Sequence, residues 1–415
     1  MLTVDEARER ILGYVRRMPA LGTEEIALEE ALGRVTATAV VAQEPSPPFA
    51  NSAMDGYALR SADTLGAHAV APARLRLVGE VPAGAVYSGV MGAGEAVRIL
   101  TGAPVPDGAD AVLQQELVTV AEGVVTIAQP VAIGNNVRTA GSDVRPGMTL
   151  APKGTELGPA EIALLASLGV HPLRVTRRPR VAILATGDEL APPGQPLRPG
   201  QIHESNTAYL IAAVRRAGAI PEPLGIARDR ADEIRAKITQ ARTADFVLTS
   251  GGVSVGDYDL VKQLLAEQGS MDFWRVRMRP GKPLAFGMLG ETPLLGLPGN
   301  PVSAAVTFEL FGRPALRTLL GCAQVERPQI EVVLDESIGE IARSDRRHFV
   351  RARLSSRGGM LLAHTTGAQE SHLISSLQGA TALLVIAEGE GVMRAGDHVQ
   401  ALLLNDALPW GSEVQ

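Results

Sequence analysis

Ala244-Asp245-Phe246-Val247-Leu248-Thr249-Ser250-Gly251-Gly252-Val253-Ser254-Val255-Gly256-Asp257-Tyr258-Asp259-Leu260 is the stretch from which the rest of the 415-residue chain can be read. The run 245–249 has the length of a buried strand, it empties into a glycine-rich loop, and Leu260, Leu264 and Leu265 are then spaced for one face of a helix. Strand, glycine loop and helix in succession leave free backbone N–H groups at a helix N-terminus, which suits an anion such as a phosphate. Asp257 and Asp259 at the end of the loop do not suit a bare phosphate. A divalent cation bridging carboxylates to a phosphate accommodates both. Taken alone, the glycines can also serve only as positive-φ turn positions.

Outward from this stretch, strands (180–185, 222–226, 245–249, 293–297) and helices (206–217, 230–241, 258–268, 302–320) alternate. Alternation of this kind predicts a parallel sheet with helices on both faces, and ligands in such sheets lie outside the carboxyl ends of the strands. Four strand exits carry polar residues: Thr186-Gly187-Asp188-Glu189-Leu190, Arg228-Asp229, the glycine loop, and Gly296-Leu297-Pro298-Gly299-Asn300-Pro301-Val302-Ser303. Singly, each can be read as caps and turns. Together they place Glu189, Asp229, Asp257 and Asp259 on one rim, a cluster that repels itself unless a cation sits within it, and oxygen-only donors favour Mg²⁺. Opposite in character is Arg277-Met278-Arg279-Pro280-Gly281-Lys282-Pro283, a basic loop stiffened by two prolines and fit to grip an anion.

Flanking segments read differently. Thr3 and Glu6 make a capping box for a first helix that turns Val4, Ala7, Ile11 and Val15 inward. Pro45-Ser46-Pro47-Pro48-Phe49 ends that region, and from 46 to 140 dense glycine and proline punctuate short β-branched runs (75–78, 96–100, 111–113, 124–127), as in a compact β-rich unit. Helical periodicity returns at 155–169, so 46–140 reads as an insertion into a unit formed by 1–45 and 141–178. The α/β unit then spans 179–326. Within 327–415, the alternating runs 330–334, 349–354, 383–386 and 399–404 suggest a small β-barrel or sandwich. Arg346-Arg347-His348-Phe349-Val350-Arg351-Ala352-Arg353 has the pattern of a half-exposed strand, and no spacing among His203, His348, His364 and His372 demands a metal, so each reads as a satisfied or exposed histidine.

Composition excludes several classes. A formal net charge of −6 argues against a general binder of nucleic acid or of a membrane surface. The single cysteine, Cys322, precludes an intramolecular disulfide and any multi-cysteine metal site. The start lacks a basic and apolar leader, and runs such as 162–170 fall well short of the roughly 20 residues that span a bilayer. A cytoplasmic location is expected.

Together, Pro47-Pro48-Phe49, the stretch 51–58, Thr101-Gly102-Ala103-Pro104-Val105-Pro106, Ala109-Asp110-Ala111, and the motifs at 186–190, 250–259, 280–283 and 296–304 resemble the MoeA-type molybdopterin molybdenumtransferases, relatives of the gephyrin E domain. The resemblance covers nearly the whole chain. It implies a multidomain α/β plus β fold: a three-layer parallel or mixed central sheet of the molybdopterin-binding type, an inserted β-rich domain and a C-terminal β-barrel. The implied reaction is Mg²⁺-dependent insertion of molybdate into adenylylated molybdopterin with loss of AMP. Residue by residue, the implied acidic pocket is Asp55, Asp143, Glu189, Asp229 and Asp259 beside Thr101, with Glu189, Asp229 and Asp259 on the metal. The pterin and nucleotide fall to Gly187, Ser250, Gly251, Gly252, Ser254, Asp257, Pro298, Gly299 and Asn300. Molybdate falls to Arg279, Lys282, Pro283, Ser303, Arg351 and Ser371.

The resemblance also implies a homodimer whose clefts are shared between subunits, which would bring Asp55 and Asp143 to an α/β rim they cannot easily reach within one chain. Many members have Lys at the position of Arg279, Asp at that of Ala50 and Ser at that of Ala185. A nucleotide hydrolase or adenylyltransferase sharing only 179–320 would leave the other motifs unexplained. A non-catalytic scaffold would have no use for a self-repelling carboxylate cluster.

Overall fold

The computed structural model describes residues 1–228, 230–251, 270–338 and 344–405, with Phe273 by its backbone alone. Asp229, Gly252, Ser254, Asp257, Asp259 and the helix expected over 258–268 lie outside the described residues. The central sheet has six strands in the order Ile220–Ala227, Arg180–Thr186, Phe246–Ser250, Thr292–Leu297, Pro283–Leu289, Ser270–Arg275. The first four run parallel, Pro283–Leu289 runs against them and Ser270–Arg275 runs against Pro283–Leu289, so the sheet is mixed. Side chains alternate across a strand, and here both faces are covered. Val181 and Ile183 join one core with Leu210, Val214 and Phe308, whereas Ala182 and Leu184 join a second with Ile234 and Ile238. Helices Asn206–Arg216 and Ala231–Ala241 thus form opposite outer layers.

Thr3 and Glu6 close the expected capping box, with Glu6 N–H donating to Thr3 Oγ1 (3.1 Å) and Thr3 N–H to Glu6 Oε2 (2.8 Å). Helix Val4–Arg16 carries Val4, Ala7, Ile11 and Val15 into the core of the α/β layer, the one that also buries Phe246, Phe286, Phe308 and Phe311. Each buried aromatic contributes roughly 1.5–3 kcal/mol relative to exposure.

Strands before and after 46–140 pair with each other: Thr23–Ile26 with Leu173–Thr176, and Val40–Val41 with Thr149–Ala151. Between them the chain builds a six-stranded sheet in the order Ala111–Gln114, Gly56–Leu59, Glu95–Ile99, Ala73–Val81, Val124–Ile127, Val118–Ala121. The helix expected over 155–169 is only Pro159–Ser167. Residues 155–158 go instead to an antiparallel bridge between Glu156 and Val35 and to a cap in which Gly158 N–H donates to Glu161 Oε2 (3.0 Å).

The C-terminal unit is a closed barrel: Arg347–Arg357, Met360–Thr365, Gln329–Leu334, His398–Leu403 and Ala382–Ile386, which returns to Arg347–Arg357. Closure removes free sheet edges. Strand Met360–Thr365 has no counterpart in the sequence reading. Strand Arg347–Arg357 differs more: it is buried along most of its length, not half-exposed. Phe349 faces the α/β core while Val350, Ala352 and Leu354 face the barrel interior, because the strand lies between the two units. Met278–Arg279 adds in parallel to its start, pairing Met278 with Arg347 and Arg279 with His348.

Candidate active site

The carboxyl ends of three adjacent parallel strands meet where the sequence pattern places a ligand. Asn206, at the first turn of helix Asn206–Arg216, donates its amide to Ser250 Oγ (2.6 Å) and to the Gly299 carbonyl (2.8 Å), tying two exits together. Gly251 N–H donates to the Leu297 carbonyl (3.2 Å). Gly251 has φ +87°, and a Cβ there would lie 2.8 Å from the Thr186 carbonyl, so only glycine lets the exits of strands Arg180–Thr186 and Phe246–Ser250 close up. Gly187, Ser250, Gly251, Pro298, Gly299 and Asn300 are therefore drawn to one rim. Asn206 itself escaped the sequence reading, since an Asn opening a helix ordinarily signals a cap.

Glu189 is exposed, and its carboxylate curls back over Gly187, whose missing Cβ would sit 2.5 Å from Oε2. Among the described residues no hydrogen bond or ion pair engages that carboxylate. Arg228 braces the turn from below, donating to the carbonyls of Asp188 (2.9 Å) and Leu190 (3.0 Å). Among the described residues no three His, Cys, Asp or Glu side chains gather to hold an ion. The expected partners of Glu189 in that role, Asp229 and Asp259, lie outside them.

Beside this rim lies a cavity of about 400 Å³ lined by residues of two units. Arg279, Lys282 and Pro283 come from the basic loop, Asn300 and Ser303 from the strand exit, and Gln369, Ser371 and His372 from a barrel loop. Asn300 donates its amide to Ser371 Oγ (3.0 Å), and Val302 N–H donates to the Ser371 carbonyl (3.2 Å), which locks the barrel loop to the α/β unit. The basic loop is shaped by Gly281, at φ +99°. A Cβ there would lie 2.5 Å from Thr307 Oγ1 and 3.0 Å from Met278 Cε. Three cations, Arg279, Lys282 and Arg346, face one carboxylate, Glu370, so the cavity is built for an anion.

Arg351 stands differently from its expected place as a molybdate ligand. Only 1% exposed, it lies beneath the cavity and does not line it. Its guanidinium donates to Ser376 Oγ (3.0 Å) and to the carbonyls of Gln369 (3.2 Å), Glu370 (3.3 Å) and Ala368 (3.4 Å). Burial pushes its pKa down to about 10, which leaves it charged at neutral pH. It holds the loop that presents Ser371.

Two further departures concern the same region. His348 is neither satisfied nor exposed: it is 6% exposed, its Nε2 has no partner among the described residues, and burial, Arg279 and Arg346 all lower its pKa. Arg346 and His372 line the cavity although their sequence context gave no sign of it.

In the inserted unit, Thr101 donates both its N–H and its hydroxyl to Asp55 Oδ1 (2.7 Å each), and these bonds hold the Asp55 carboxyl below the usual carboxylate range. Asp143 is exposed, with its N–H on the Ser46 carbonyl (3.0 Å).

Comparison with known proteins shows what the whole assembly is similar to. Residues 2–169 match the MoeA N-terminal region (domain I and II), 182–318 the probable molybdopterin binding domain and 338–404 the MoeA C-terminal region (domain IV). Molybdopterin molybdenumtransferase 2 of Mycobacterium tuberculosis is 40% identical over 382 residues, covering 90% of this chain and 93% of that protein. The chain belongs to the MoeA family of molybdopterin molybdenumtransferases. Another MoeA-family relative, the molybdopterin molybdenumtransferase of Haemophilus influenzae, is 35% identical over 407 residues, 96% of this chain and 98% of that protein. A crystal structure of the moeA molybdopterin biosynthesis protein from Pyrococcus horikoshii aligns with TM-score 0.84 at 32% identity, over 98% of this chain and 100% of that one. Since these MoeA matches extend over the N-terminal and C-terminal regions, an enzyme sharing only the α/β unit does not account for the chain. No helix among the described residues is long and apolar enough to cross a membrane.

Proposed function

We propose that this MoeA-family transferase inserts molybdate into adenylylated molybdopterin, releasing AMP and yielding molybdenum cofactor in a Mg²⁺-dependent reaction in the cytoplasm. The observation that carries the proposal is the juxtaposition through Asn300. This residue stands at the strand-exit rim, lines the basic cavity and bonds Ser371. An oxyanion held by Arg279, Lys282, Ser303 and Ser371 would thus lie beside a pterin phosphate resting on Gly187, Ser250, Gly251, Pro298 and Gly299, so proximity supplies much of the rate.

Chemically, the pyrophosphate link between pterin and AMP breaks and water supplies the oxygen that completes the released phosphate. The two dithiolene sulfurs of the substrate take the place of two molybdate oxygens, which leave as water on taking up the thiol protons and two protons from solvent, with no change in the metal's oxidation state. The chain's own residues bind and orient. Lys282 and Arg279 offset the dianion's charge, the Ser303 and Ser371 hydroxyls donate to its oxygens, and the glycines admit the substrate backbone-close. Glu189, whose carboxylate has no partner among the described residues and offers only oxygen donors, fits a hard cation; Asp229 and Asp259 would complete the set, with Gly252, Ser254 and Asp257 on the nucleotide. Bound there, Mg²⁺ would neutralise the phosphates. In a homodimer, Asp55, Thr101 and Asp143 of one protomer would complete the cleft of the other.

The test combines the protein, adenylylated molybdopterin, Mg²⁺ and molybdate and follows AMP release together with metal incorporation. Stoichiometric appearance of both is expected; AMP release without metal gain would refute the insertion step. Lys282→Ala should raise the molybdate concentration for half-maximal insertion by about tenfold or more, the scale of one charge-assisted hydrogen bond.

A further inference from the structure

The strand pairs Thr23–Ile26 with Leu173–Thr176 and Val40–Val41 with Thr149–Ala151 form an arm that carries the inserted six-stranded sheet. Two connections join this arm to the α/β unit, residues 17–22 after the first helix and residues 177–179 before strand Arg180–Thr186. They run side by side, with Arg177 N–H on the Gly22 carbonyl (2.9 Å). Arg177 fastens them to Asp245 through Nη1 and Nη2 (2.7 and 2.6 Å), and Arg180 N–H donates to the same carboxylate (2.7 Å). Two neighbouring connections make a hinge, which fixes where the arm leaves but not at what angle. A second contact lies at the loop 321–325 that follows helix Arg313–Leu319. Ala323 N–H donates to the Gly154 carbonyl of the arm (3.0 Å), and Gly154, at φ +84°, passes so close that a Cβ there would lie 2.5 Å from the Gly321 carbonyl. Val35 of the arm packs with Leu320, Cys322 and Val325. Such apolar contact is non-directional and by itself lets the surfaces slide. Arg317 supplies the direction. Its side chain, 8% exposed, donates Nε to the Gln324 carbonyl (2.9 Å) and Nη2 to Glu156 Oε2 (2.8 Å), and Glu156 is bridged to Val35. From the same helix Arg313 donates to the Val325 carbonyl (2.9 Å). A planar fork held by a carbonyl on one side and a carboxylate on the other admits one geometry.

Resting on the shared-cleft reading above, we propose that Arg317 is a positioning residue: with Glu156 it forms a clasp that fixes the angle at which the arm leaves the α/β unit, and so the place of Asp55, Thr101 and Asp143 relative to the rim they complete. Loss of the clasp leaves the hinge at Arg177 and Asp245 in place. The basic cavity is lined by the α/β unit and the barrel, without a residue of the arm. The clasp therefore governs turnover and leaves the holding of molybdate unchanged. Removing a hydrogen bond to a charged group shifts the population of correctly aligned arms by about tenfold or more.

The test places spin labels at two exposed helical positions, Ala166→Cys on Pro159–Ser167 of the arm and Ala236→Cys on Ala231–Ala241 of the α/β unit, while the native Cys322 is buried. Their distance distribution is read in the full chain by double electron–electron resonance, diluted into unlabelled chain so that pairs within one chain dominate. Glu156→Gln is the decisive variant, because Glu156 is 47% exposed and its loss does not open the core. It should broaden the distribution and lower kcat for molybdate insertion by about tenfold, with the half-saturating molybdate concentration unchanged. Arg317→Lys, which keeps the charge but cannot serve both acceptors, should do the same to a smaller degree. Glu25→Gln, in an exposed pair with Arg174 inside the arm, should change nothing. A wild-type distribution in both Glu156→Gln and Arg317→Lys refutes the clasp and leaves the proposed reaction standing. A broadened distribution with kcat unchanged refutes the positioning role. If the wild-type chain inserts no molybdate, the proposed reaction falls, and the distances alone decide the clasp.

Discussion

Replacing Gly281 by alanine isolates what the shape of the basic loop is worth. Gly281 has φ +99°, a region that L-residues rarely occupy, and the added Cβ would lie 2.5 Å from Thr307 Oγ1 and 3.0 Å from Met278 Cε. Backbone strain of this kind costs about 1–2 kcal/mol, and forcing a methyl into a packed site costs a further 1–3 kcal/mol or so. The expected loss is therefore roughly 2–5 kcal/mol, together with displacement of Arg279 and Lys282 and weaker oxyanion binding. Thr307 makes the prediction sharper, because its hydroxyl is buried with no hydrogen-bond partner among the described residues. Thr307→Ala removes both the obstacle and an unsatisfied polar atom, so it should relieve the overlap but not the backbone strain. The double variant is expected to regain about 1–3 kcal/mol, a coupling of the size seen for residues in contact. Thr307→Val, which keeps the shape, should not rescue. Urea unfolding followed by circular dichroism, paired with molybdate calorimetry on the wild type and these variants, provides the measurement. A Gly281→Ala chain as stable and as tightly binding as wild type would refute the steric argument, and so would additivity with Thr307→Ala.

Two further outcomes follow from the hydrogen bonds described. Thr101→Val deletes the hydroxyl that bonds Asp55 and should raise the Asp55 pKa toward its ordinary value. A carboxyl depressed in the folded state contributes at pH above its unfolded pKa and loses that contribution as pH falls. The acid limb of AMP release should accordingly move to higher pH in the variant, and an unmoved profile would detach Asp55 from the reaction. Arg351→Met strips the carbonyls of residues 368–370 of a buried donor. A stability loss on the order of 3–5 kcal/mol is expected, as for breaking other buried charged networks, with faster hydrogen exchange confined first to the loop around Ser371. Exchange that stays slow there while oxyanion binding disappears would show that Arg351 touches the anion directly.

Much of the architecture is legible along the chain because it rests on local rules. The alternation of buried strands with amphipathic helices between 179 and 320, the capping box at Thr3 and Glu6, and glycines at strand exits such as Gly251 are set by periodicity and by backbone sterics that each segment carries with it. The basic, stiffened character of Arg277 to Pro283 was legible for the same reason: charge and prolines lie within seven residues. Three features were decided only by the tertiary structure. Arg346 and Arg347 are indistinguishable in sequence, and only the packing of Asp5 and Glu388 against Arg347 leaves Arg346 facing the cavity. Arg351 reads as one basic residue in an alternating strand, yet enclosure between barrel and α/β unit turns its guanidinium onto the loop carbonyls. Asn206 looks like a helix-opening residue and becomes the tie between two strand exits because the sheet brings Ser250 and Gly299 to it. A local pattern specifies what a segment can be; which of its polar groups remains unpaired depends on what arrives from elsewhere in the chain, and that residue of unpaired polarity is what a ligand meets.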